Sequence, residues 1–223
     1  MALELANLDT QTPLRVLDIG CGTGASALQL VGSLDADVFA VDLSAEFIET
    51  LADRALEKSL AGRLHPMVAS MEGLPFPDGE FDLIWSEGAV YNMGFAAGVS
   101  AWRRLLAPQG MLVVSEITWT TATRPQALQQ YWGAHYPEID TAAAKIAVLE
   151  NCGYQPVAYF VLPESCWLDN YYTPIQACFA DFLARHPNDP QALELVNMER
   201  EEIAFYNKYK HHYSYGVYIA RKL

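Results

Sequence analysis

The chain has 223 residues, of which 52% are hydrophobic and 18% are charged, and its formal net charge is −13. This length suits one α/β domain, and the composition supports a sizeable core and argues against disorder. The acidity argues against a nucleic-acid partner or an anionic membrane surface, because binding phosphates requires a cationic face.

The four cysteines have no CxxC spacing, and the sequence shows no secretory signal and no apolar run long enough to cross a membrane. We therefore expect reduced thiols and a cytoplasmic location. We expect no metal site, because the adjacent His211 and His212 would face opposite ways on a strand and no helical His/Glu ligand spacing is present.

The stretch from Val16 to Gly24 reads Val-Leu-Asp-Ile-Gly-Cys-Gly-Thr-Gly and precedes a predicted helix, Ala25 to Gly32. Alternating glycines allow a sharp turn and a close approach of a ligand to the backbone, because no Cβ intervenes. The spacing differs from the G-x-G-x-x-G of dinucleotide folds. Asp18, at the end of the strand, can hold a ligand ammonium group. A ligand with both an amino and a carboxylate end therefore fits better than a pyrophosphate.

This stretch resembles the first motif of the class I S-adenosylmethionine (SAM) methyltransferases, in particular the small-molecule, UbiE-like members. The resemblance implies a Rossmann-like α/β fold, with a seven-stranded doubly wound sheet of order 3-2-1-4-5-7-6 whose last strand is antiparallel. It also implies SAM as the cofactor and S-adenosylhomocysteine as the product. It is firm from Arg15 to Glu116 and weaker beyond. The residues that it assigns to the first part of the cofactor site are Asp18, Gly20, Cys21, Gly22 and Gly24.

The family usually has a longer N-terminal helical region that covers the cofactor. Here Met1 to Thr12 precede the first strand. Either the start is truncated or another element supplies the cover.

A second strand, Asp37 to Asp42, ends in an acid about 20 residues beyond the glycine loop, where nucleoside-binding folds place a carboxylate on the ribose hydroxyls. The alternative is that Asp42 caps the helix that begins at Ala45, but Ser44 already fits that role. We therefore assign Asp42 to the ribose and Leu43 to the adenine.

The third strand, His65 to Ala69, is followed by Ser70 and Met71. The resembled family places an acidic residue against the adenine edge at this point. Here the Ser70 hydroxyl and the Met71 N–H are expected to take its place.

The fourth strand, Phe81 to Trp85, leads into a loop that should face the reactive methyl group, because ligands bind beyond the strand ends in open α/β sheets. Ser86 and Glu87 join the predicted cofactor site. Glu87 and Tyr91 are predicted to act on the acceptor, the alternative being that Tyr91 packs in a turn.

The later elements are predicted in chain order. Glu116, Thr118 and Trp119 are expected to line the acceptor pocket. A helical insertion, residues 163–212, should contribute to that pocket within a single methyltransferase domain, residues 1–223. The remaining predictions are a helix Ala45–Ala61, a helix Val99–Leu106, a strand Met111–Glu116, an irregular segment Thr120–Pro137, a helix Asp140–Asn151, a strand Pro156–Leu162, helical stretches Ile175–His186 and Pro190–Lys210, and a strand Tyr213–Lys222.

Methyl transfer from SAM depends mainly on positioning, and a base is needed only when the acceptor keeps a proton. Glu87, His135 and Tyr171 are the candidate bases or acceptor-orienting groups, although a histidine in an aromatic helical segment is more often a packing residue. No histidine or acid at a suitable spacing in the sequence supports Cys166 as a nucleophile. The aromatic residues after position 112 suggest a pocket for a planar or cationic acceptor, or a packed core.

We predict a SAM-dependent methyltransferase that acts on a small molecule. Two alternatives stay open, namely a SAM-binding sensor or partner protein without turnover and a nucleotide-linked oxidoreductase. A homodimer is among the assemblies that the sequence allows. The sequence selects neither the acceptor nor the methylated atom.

Overall fold

The computed structural model describes residues 1–8 and 11–223, so Asp9 and Thr10, in the segment before the first strand, lie outside the described residues. The centre of the fold is a mixed sheet. Its strands are β1 Leu14–Ile19, β2 Ala36–Asp42, β3 Leu64–Val68, β4 Phe81–Ser86, β5 Leu106–Trp119, β6 Asp140–Thr141, β7 Tyr154–Val161 and β8 Tyr213–Lys222.

The strand order is β3-β2-β1-β4-β5-β8-β7, and the two-residue β6 pairs with β5 beside this path. The strands from β3 to β5 run parallel, and β8 runs antiparallel to both of its neighbours. The predicted order is therefore confirmed, since β7 and β8 take the places of predicted strands six and seven. The predicted strand count was one too low, because β6 is too short to leave an alternating pattern.

The helices lie between these strands in the order expected of a doubly wound fold. A π-helical turn, Leu168–Tyr172, joins the seventh helix to the eighth. The helices are α1 Ala2–Ala6, α2 Ala25–Ser33, α3 Ala45–Glu57, α4 Phe95–Trp102, α5 Gln126–His135, α6 Ala142–Asn151, α7 Glu164–Trp167, α8 Thr173–Arg185 and α9 Pro190–Tyr209.

The hydrophobic core consists of three clusters. Helices α1, α2 and α3 pack on one face of the sheet, and α4 and α6 pack on the other. Adjacent residues of β1, Val16 and Leu17, belong to opposite clusters, so this central strand is buried on both faces and reads as a continuous apolar run. The third cluster joins α5, α8 and α9 to the ends of β5 and β8.

Helix α4 begins at Phe95, earlier than the predicted Val99. The Glu138 carboxylate accepts a hydrogen bond from the Phe95 N–H at 2.9 Å, across 43 positions in the sequence. Gly94 precedes the helix with φ of 87°, and a Cβ there would collide with the Glu138 carboxylate. A distant carboxylate thus caps this helix, which local sequence patterns do not reveal.

The segment Thr120–Pro137, predicted to be irregular, contains α5, which follows Pro125 and buries Leu128. Strand β5 also extends past Glu116 to Trp119, because β8 continues to pair with it as far as Trp119 and Tyr213. Long-range pairing therefore set the end of this strand.

Two glycines offer a matched test of this fold. Gly20 has φ of 73°, and a Cβ there would collide with the Ala89 Cβ, whereas Gly32 in α2 has open space around it. Gly20→Ala should lower the free energy of unfolding by about 2–4 kcal/mol through backbone strain and overpacking. Gly32→Ala should raise it by about 0.5–1 kcal/mol because alanine favours a helix. Urea denaturation measures both, and equal changes would contradict the different roles assigned to these two glycines.

Candidate functional site

The loop after β1 folds over the end of β2. The N–H groups of Gly20 and Cys21 both donate to the Val41 carbonyl, at 2.8 and 3.0 Å, and the Gly24 N–H donates to the Cys21 carbonyl at 2.9 Å. Gly20, Gly22 and Gly24 have φ of 73°, 54° and 90°. These left-handed conformations favour glycine, which explains the alternation in the motif.

The three glycines serve different purposes. A Cβ on Gly24 would collide with the Leu51 side chain, so Gly24 allows α2 and α3 to pack closely, and Gly20 packs against Ala89 in the same way. At Gly22 no atom lies within 4 Å of the position that a Cβ would take. Gly22 is therefore where the backbone of this loop faces open space that a ligand can fill.

Asp42 connects the glycine loop to the end of β2. Its Oδ2 accepts from the Gly22 N–H and its Oδ1 accepts from the Ser44 N–H, both at 2.9 Å. The cap of α3 is the Ser44 hydroxyl, which accepts from the Phe47 N–H at 3.3 Å. Each Asp42 oxygen keeps a lone pair, so the carboxylate can accept from two further donors, such as a pair of vicinal hydroxyls.

Asp18 lies behind the same loop with 1% of its surface exposed, and its Oδ2 has no hydrogen-bond partner. Burial, together with the nearby carboxylates of Glu87 and Asp42, raises its pKa to about 8. Buried polar atoms are nearly always paired in folded proteins. This free oxygen therefore fits the ammonium group of a ligand.

Glu87 belongs to the loop after β4 and contacts the start of α2, where its Oε2 accepts a hydrogen bond from the Ser26 hydroxyl at 2.8 Å. Glu87 and Asp42 thus lie beside the same loop as the buried Asp18, and their negative charges would repel a pyrophosphate and attract a cation. Burial and two of these acids, Asp18 and Asp42, also raise the pKa of the Cys21 thiol, so this cysteine is neutral.

Of the residues predicted for the adenine, Met71 lies beside the glycine loop. Leu43 is 75% exposed. The exposed Ser70 accepts from the Glu72 N–H, and the Met71 methyl group lies 3.6 Å from the Cβ position of Gly20. The Met71 side chain therefore offers an apolar surface beside the loop.

The hydroxyl of Ser86 is engaged in the sheet. It is fully buried and donates to the Ile19 carbonyl at 2.9 Å. This bond joins the carboxyl ends of β4 and β1, so Ser86 shapes the cleft through the backbone that it fixes.

A cavity of about 520 Å³ lies beside the cleft, at the carboxyl end of β5. Ten of its 17 lining residues are Tyr, Trp or Phe, contributed by α5, the π-helical turn, α9, β8 and their neighbouring segments. Gly88, which follows Glu87, is also part of the lining. The loop after β4 therefore borders both the acidic cleft and the aromatic cavity.

Of the predicted catalytic residues, Tyr91 and Tyr171 line this cavity and are 47% and 45% exposed. Glu87 is absent from the lining among the described residues and faces the cleft instead. His135 also lines the cavity, where its ring stacks on Tyr131 at 4.1 Å. This stacking agrees with the packing role that the sequence suggested for the histidine.

The three residues of β5 that were predicted to line the pocket lie in different places. Glu116 lines the cavity. The hydroxyl of Thr118 instead pairs with the Tyr218 hydroxyl at 2.8 Å inside the sheet, and Trp119 packs edge-on against Tyr213. Neither of these two is among the lining residues in the part of the chain that the structure describes.

Sequence reasoning missed the partners of Glu116. This carboxylate is fully buried, and its Oε1 accepts from Lys145 Nζ at 2.8 Å and from the Tyr136 hydroxyl at 2.5 Å. Its Oε2 has no partner. Burial raises the pKa of Glu116, while Lys145 and Tyr136 oppose that rise. The signal in the sequence was a single lysine in the alanine-rich, apolar stretch of α6.

Two further features concern the described residues as a whole. No group of three or more His, Cys, Asp or Glu side chains in residues 1–8 and 11–223 is arranged to hold a metal ion. In the same ranges, none of the helices has both the length and the hydropathy needed to span a membrane.

Comparison with known proteins shows which of them this chain is similar to. Residues 16–110 match the model of a methyltransferase domain. The chain is 32% identical over 103 residues to O-methyltransferase cnsE of Penicillium expansum, covering 46% of this chain and 37% of the relative. It is 30% identical over 121 residues to the ubiquinone/menaquinone biosynthesis C-methyltransferase UbiE of Geotalea uraniireducens, covering 53% and 52%.

The chain thus spans at most about half the length of these curated relatives. Among solved structures, the fold matches a SAM-dependent methyltransferase from Geobacter sulfurreducens in complex with S-adenosylhomocysteine. The TM-score is 0.85 at 21% identity, covering 99% of this chain and 88% of that one. The chain is therefore similar to methyltransferase domains over residues 16–110, and it shares the fold of that SAM-dependent methyltransferase over nearly its whole length.

Proposed function

We propose that this protein transfers a methyl group from SAM to a small-molecule acceptor and releases S-adenosylhomocysteine. The observation that carries this proposal is the unpaired, buried Oδ2 of Asp18 behind an open glycine loop, next to a separate aromatic cavity. One compartment suits a cationic amino-acid group and the other suits an acceptor. The curated relatives include O- and C-methyltransferases, so they support methyl transfer without selecting the atom.

In this proposal the glycine loop holds the amino-acid half of SAM. Asp18 and Glu87 face the ammonium group, and the loop of Gly20, Cys21, Gly22 and Gly24 surrounds the chain that leads to the sulfur. Asp42 accepts the two ribose hydroxyls, for which its remaining lone pairs are suited. The residues assigned to the adenine side are Leu43, Ser70 and Met71, and Ser86 supports the strand end beside them.

Bound SAM supplies a methyl group on a positively charged sulfur, so the main task of the protein is to position the acceptor. Tyr91 and Tyr171, which line the cavity, are the residues that we propose orient it. The contact of Glu87 with Ser26 supports a role in binding the cofactor more than a role as a base. Glu116, whose Oε2 is free, is the better placed proton acceptor.

We extend the proposal to the organisation of the protein. Residues 1–223 form one methyltransferase domain, and residues 163–212 contribute to the acceptor pocket, which the lining by Trp167, Tyr172 and Glu202 supports. The net charge of −13 supports an acceptor other than nucleic acid. The four cysteines are free, which supports a cytoplasmic location.

Asp42→Ala tests the cofactor assignment. Loss of two charge-assisted hydrogen bonds should weaken SAM binding by about 2–3 kcal/mol, or roughly 30- to 150-fold. Isothermal titration calorimetry with SAM and S-adenosylhomocysteine measures this change. Asp53→Ala, which removes an exposed acid of α3, is the matched control and should leave the affinity unchanged. Unaltered affinity in folded Asp42→Ala would exclude the ribose role.

A panel of acceptors then separates an enzyme from a binding protein. Release of S-adenosylhomocysteine with at least one small molecule supports turnover. Tight SAM binding with no turnover across amines, phenols and carbon acids would point to a sensor, and binding of NAD in place of SAM would point to an oxidoreductase.

Asp18 makes the binding of SAM dependent on pH. Its pKa of about 8 means that the free protein carries a proton on Asp18 at about pH 6.5, with Glu87 and Asp42 nearby. A ligand ammonium favours the ionised form, lowers this pKa and expels the proton. Calorimetry in buffers of different ionisation enthalpy should therefore detect release of close to one proton. Asp18→Asn should release none, and release equal to that of the native chain would contradict this assignment.

A further inference from the structure

The charges that line the aromatic cavity are negative. Its lining contains two carboxylates, Glu116 and Glu202, and a single histidine, but no lysine or arginine among the described residues. An anionic acceptor would find no cationic partner in such a lining. The cavity therefore favours a neutral or positively charged molecule.

The basic side chains near the third core cluster are engaged elsewhere. Lys145 pairs with Glu116 Oε1 at 2.8 Å and lies 4.7 Å from the centre of the Phe95 ring. Arg124 lies over Trp119 at 4.8 Å, and Arg200 lies over Phe179 at 5.5 Å. These cations take part in packing and pairing, so they leave the charge of Glu202 unbalanced in the lining.

The tyrosines of the cavity remain neutral and electron-rich. Burial raises the pKa of Tyr215, and the proximity of Tyr91, Glu116 and Tyr171 raises it further. Burial and Glu202 raise the pKa of Tyr171 in the same way. Neutral rings whose faces carry negative charge density attract cations, and the attraction grows as water is excluded.

Glu116 adds a directional group to this lining. Its Oε1 is fixed by Lys145 and Tyr136, while its buried Oε2 has no partner. An N–H of a bound ammonium group would satisfy Oε2, as the chemistry of buried carboxylates requires. Lys145 is then a positioning residue, because it holds Glu116 and does not line the cavity, whereas Tyr136 both holds Glu116 and lines the cavity.

We propose that the cavity binds an organic ammonium group, held by the faces of its tyrosines, by the charge of Glu202 and by an N–H bond to Glu116 Oε2. As an inference about the acceptor class, this rests on the proposed function. The ammonium proton moves to Glu116 Oε2, and the N–H electron pair stays on nitrogen. The nitrogen is then a neutral amine with a free lone pair, which is the form that accepts a methyl group.

The test compares a cation with a neutral molecule of the same shape, without any need for turnover. Choline and 3,3-dimethylbutan-1-ol differ only in having nitrogen or carbon at the branched centre, and 2-(dimethylamino)ethanol adds an N–H in its protonated form. Calorimetry on the native chain should show that both cations bind roughly tenfold or more tightly than neutral 3,3-dimethylbutan-1-ol. Equal binding of all three, or no binding of either cation, would overturn the proposal.

Glu202→Gln tests the contribution of charge on α9, where the side chain is accessible and the fold should tolerate the change. We expect choline to bind several-fold more weakly and the neutral alcohol to bind as before. Glu201→Gln removes an adjacent exposed acid that does not line the cavity, and it should leave both affinities unchanged. An equal loss of choline binding in both variants would contradict a specific role for Glu202.

Glu116 is tested with its partner removed, because a lone Glu116→Gln change would leave Lys145 buried and unpaired. The double variant Glu116→Gln/Lys145→Met should lower the affinity for protonated 2-(dimethylamino)ethanol about tenfold and that for choline by less. Equal losses of affinity for the two cations would exclude the N–H bond.

Titration with SAM checks that each variant is folded and separates the two proposals. SAM binding without a preference for the two cations over the neutral alcohol would reject the ammonium site alone. A preference for the cations without SAM binding would reject the proposed function while leaving the ammonium site in place.

Discussion

The carboxylate of Asp42 fixes the geometry on which the cleft depends. By accepting the N–H groups of Gly22 and Ser44, it joins the loop after β1 to the end of β2. The Val41 carbonyl completes this junction by accepting two N–H groups from the loop. Two adjacent parallel strands thereby end at one fixed turn, with Gly22 facing open space, and the surrounding elements pack against that turn.

The cleft concentrates negative charge where a positively charged ligand is expected. Asp18, Asp42 and Glu87 lie close enough for the latter two to raise the pKa of Asp18. Keeping a carboxyl group buried and protonated is unfavourable at neutral pH, since it would ionise in water. A bound ammonium group removes that cost, so the cleft favours a cation. The same charges disfavour the pyrophosphate of a dinucleotide.

The aromatic cavity depends on a different electrostatic contact. Glu116 and Lys145 form a buried pair between β5 and α6, to which Tyr136 adds a short hydrogen bond. Removing one member of such a pair usually destabilises a protein by several kcal/mol, about 3–5, because the other charge stays buried alone. This pair therefore supports one wall of the cavity and leaves one Glu116 oxygen free. The wall and the acidic cleft meet at the loop after β4, which carries both Glu87 and Gly88.

The glycine loop could be predicted from the sequence because it rests on a local pattern, and the sheet order followed from the family resemblance that this pattern carries. The motif from Val16 to Gly24 combines a buried strand, a turn and a helix start within a few residues. The acid at the end of the second strand, Asp42, could be recognised in the same way, from its distance along the chain.

Which residues meet in the cavity depends on contacts between distant segments of the chain. The cap of α4 by Glu138 and the pairing of Glu116 with Lys145 join residues that are far apart in the chain, and neither leaves a local pattern. The end of β5 followed its pairing with β8, and the segment that contains α5 showed no clear period. Glu202 lies in a run of charged residues, which in a sequence is typical of a solvent-exposed helix face. The packing of α9 beside β8 brings it to the cavity. Periodicity records which face of an element is buried, whereas the partner of a buried charge depends on how distant elements come together.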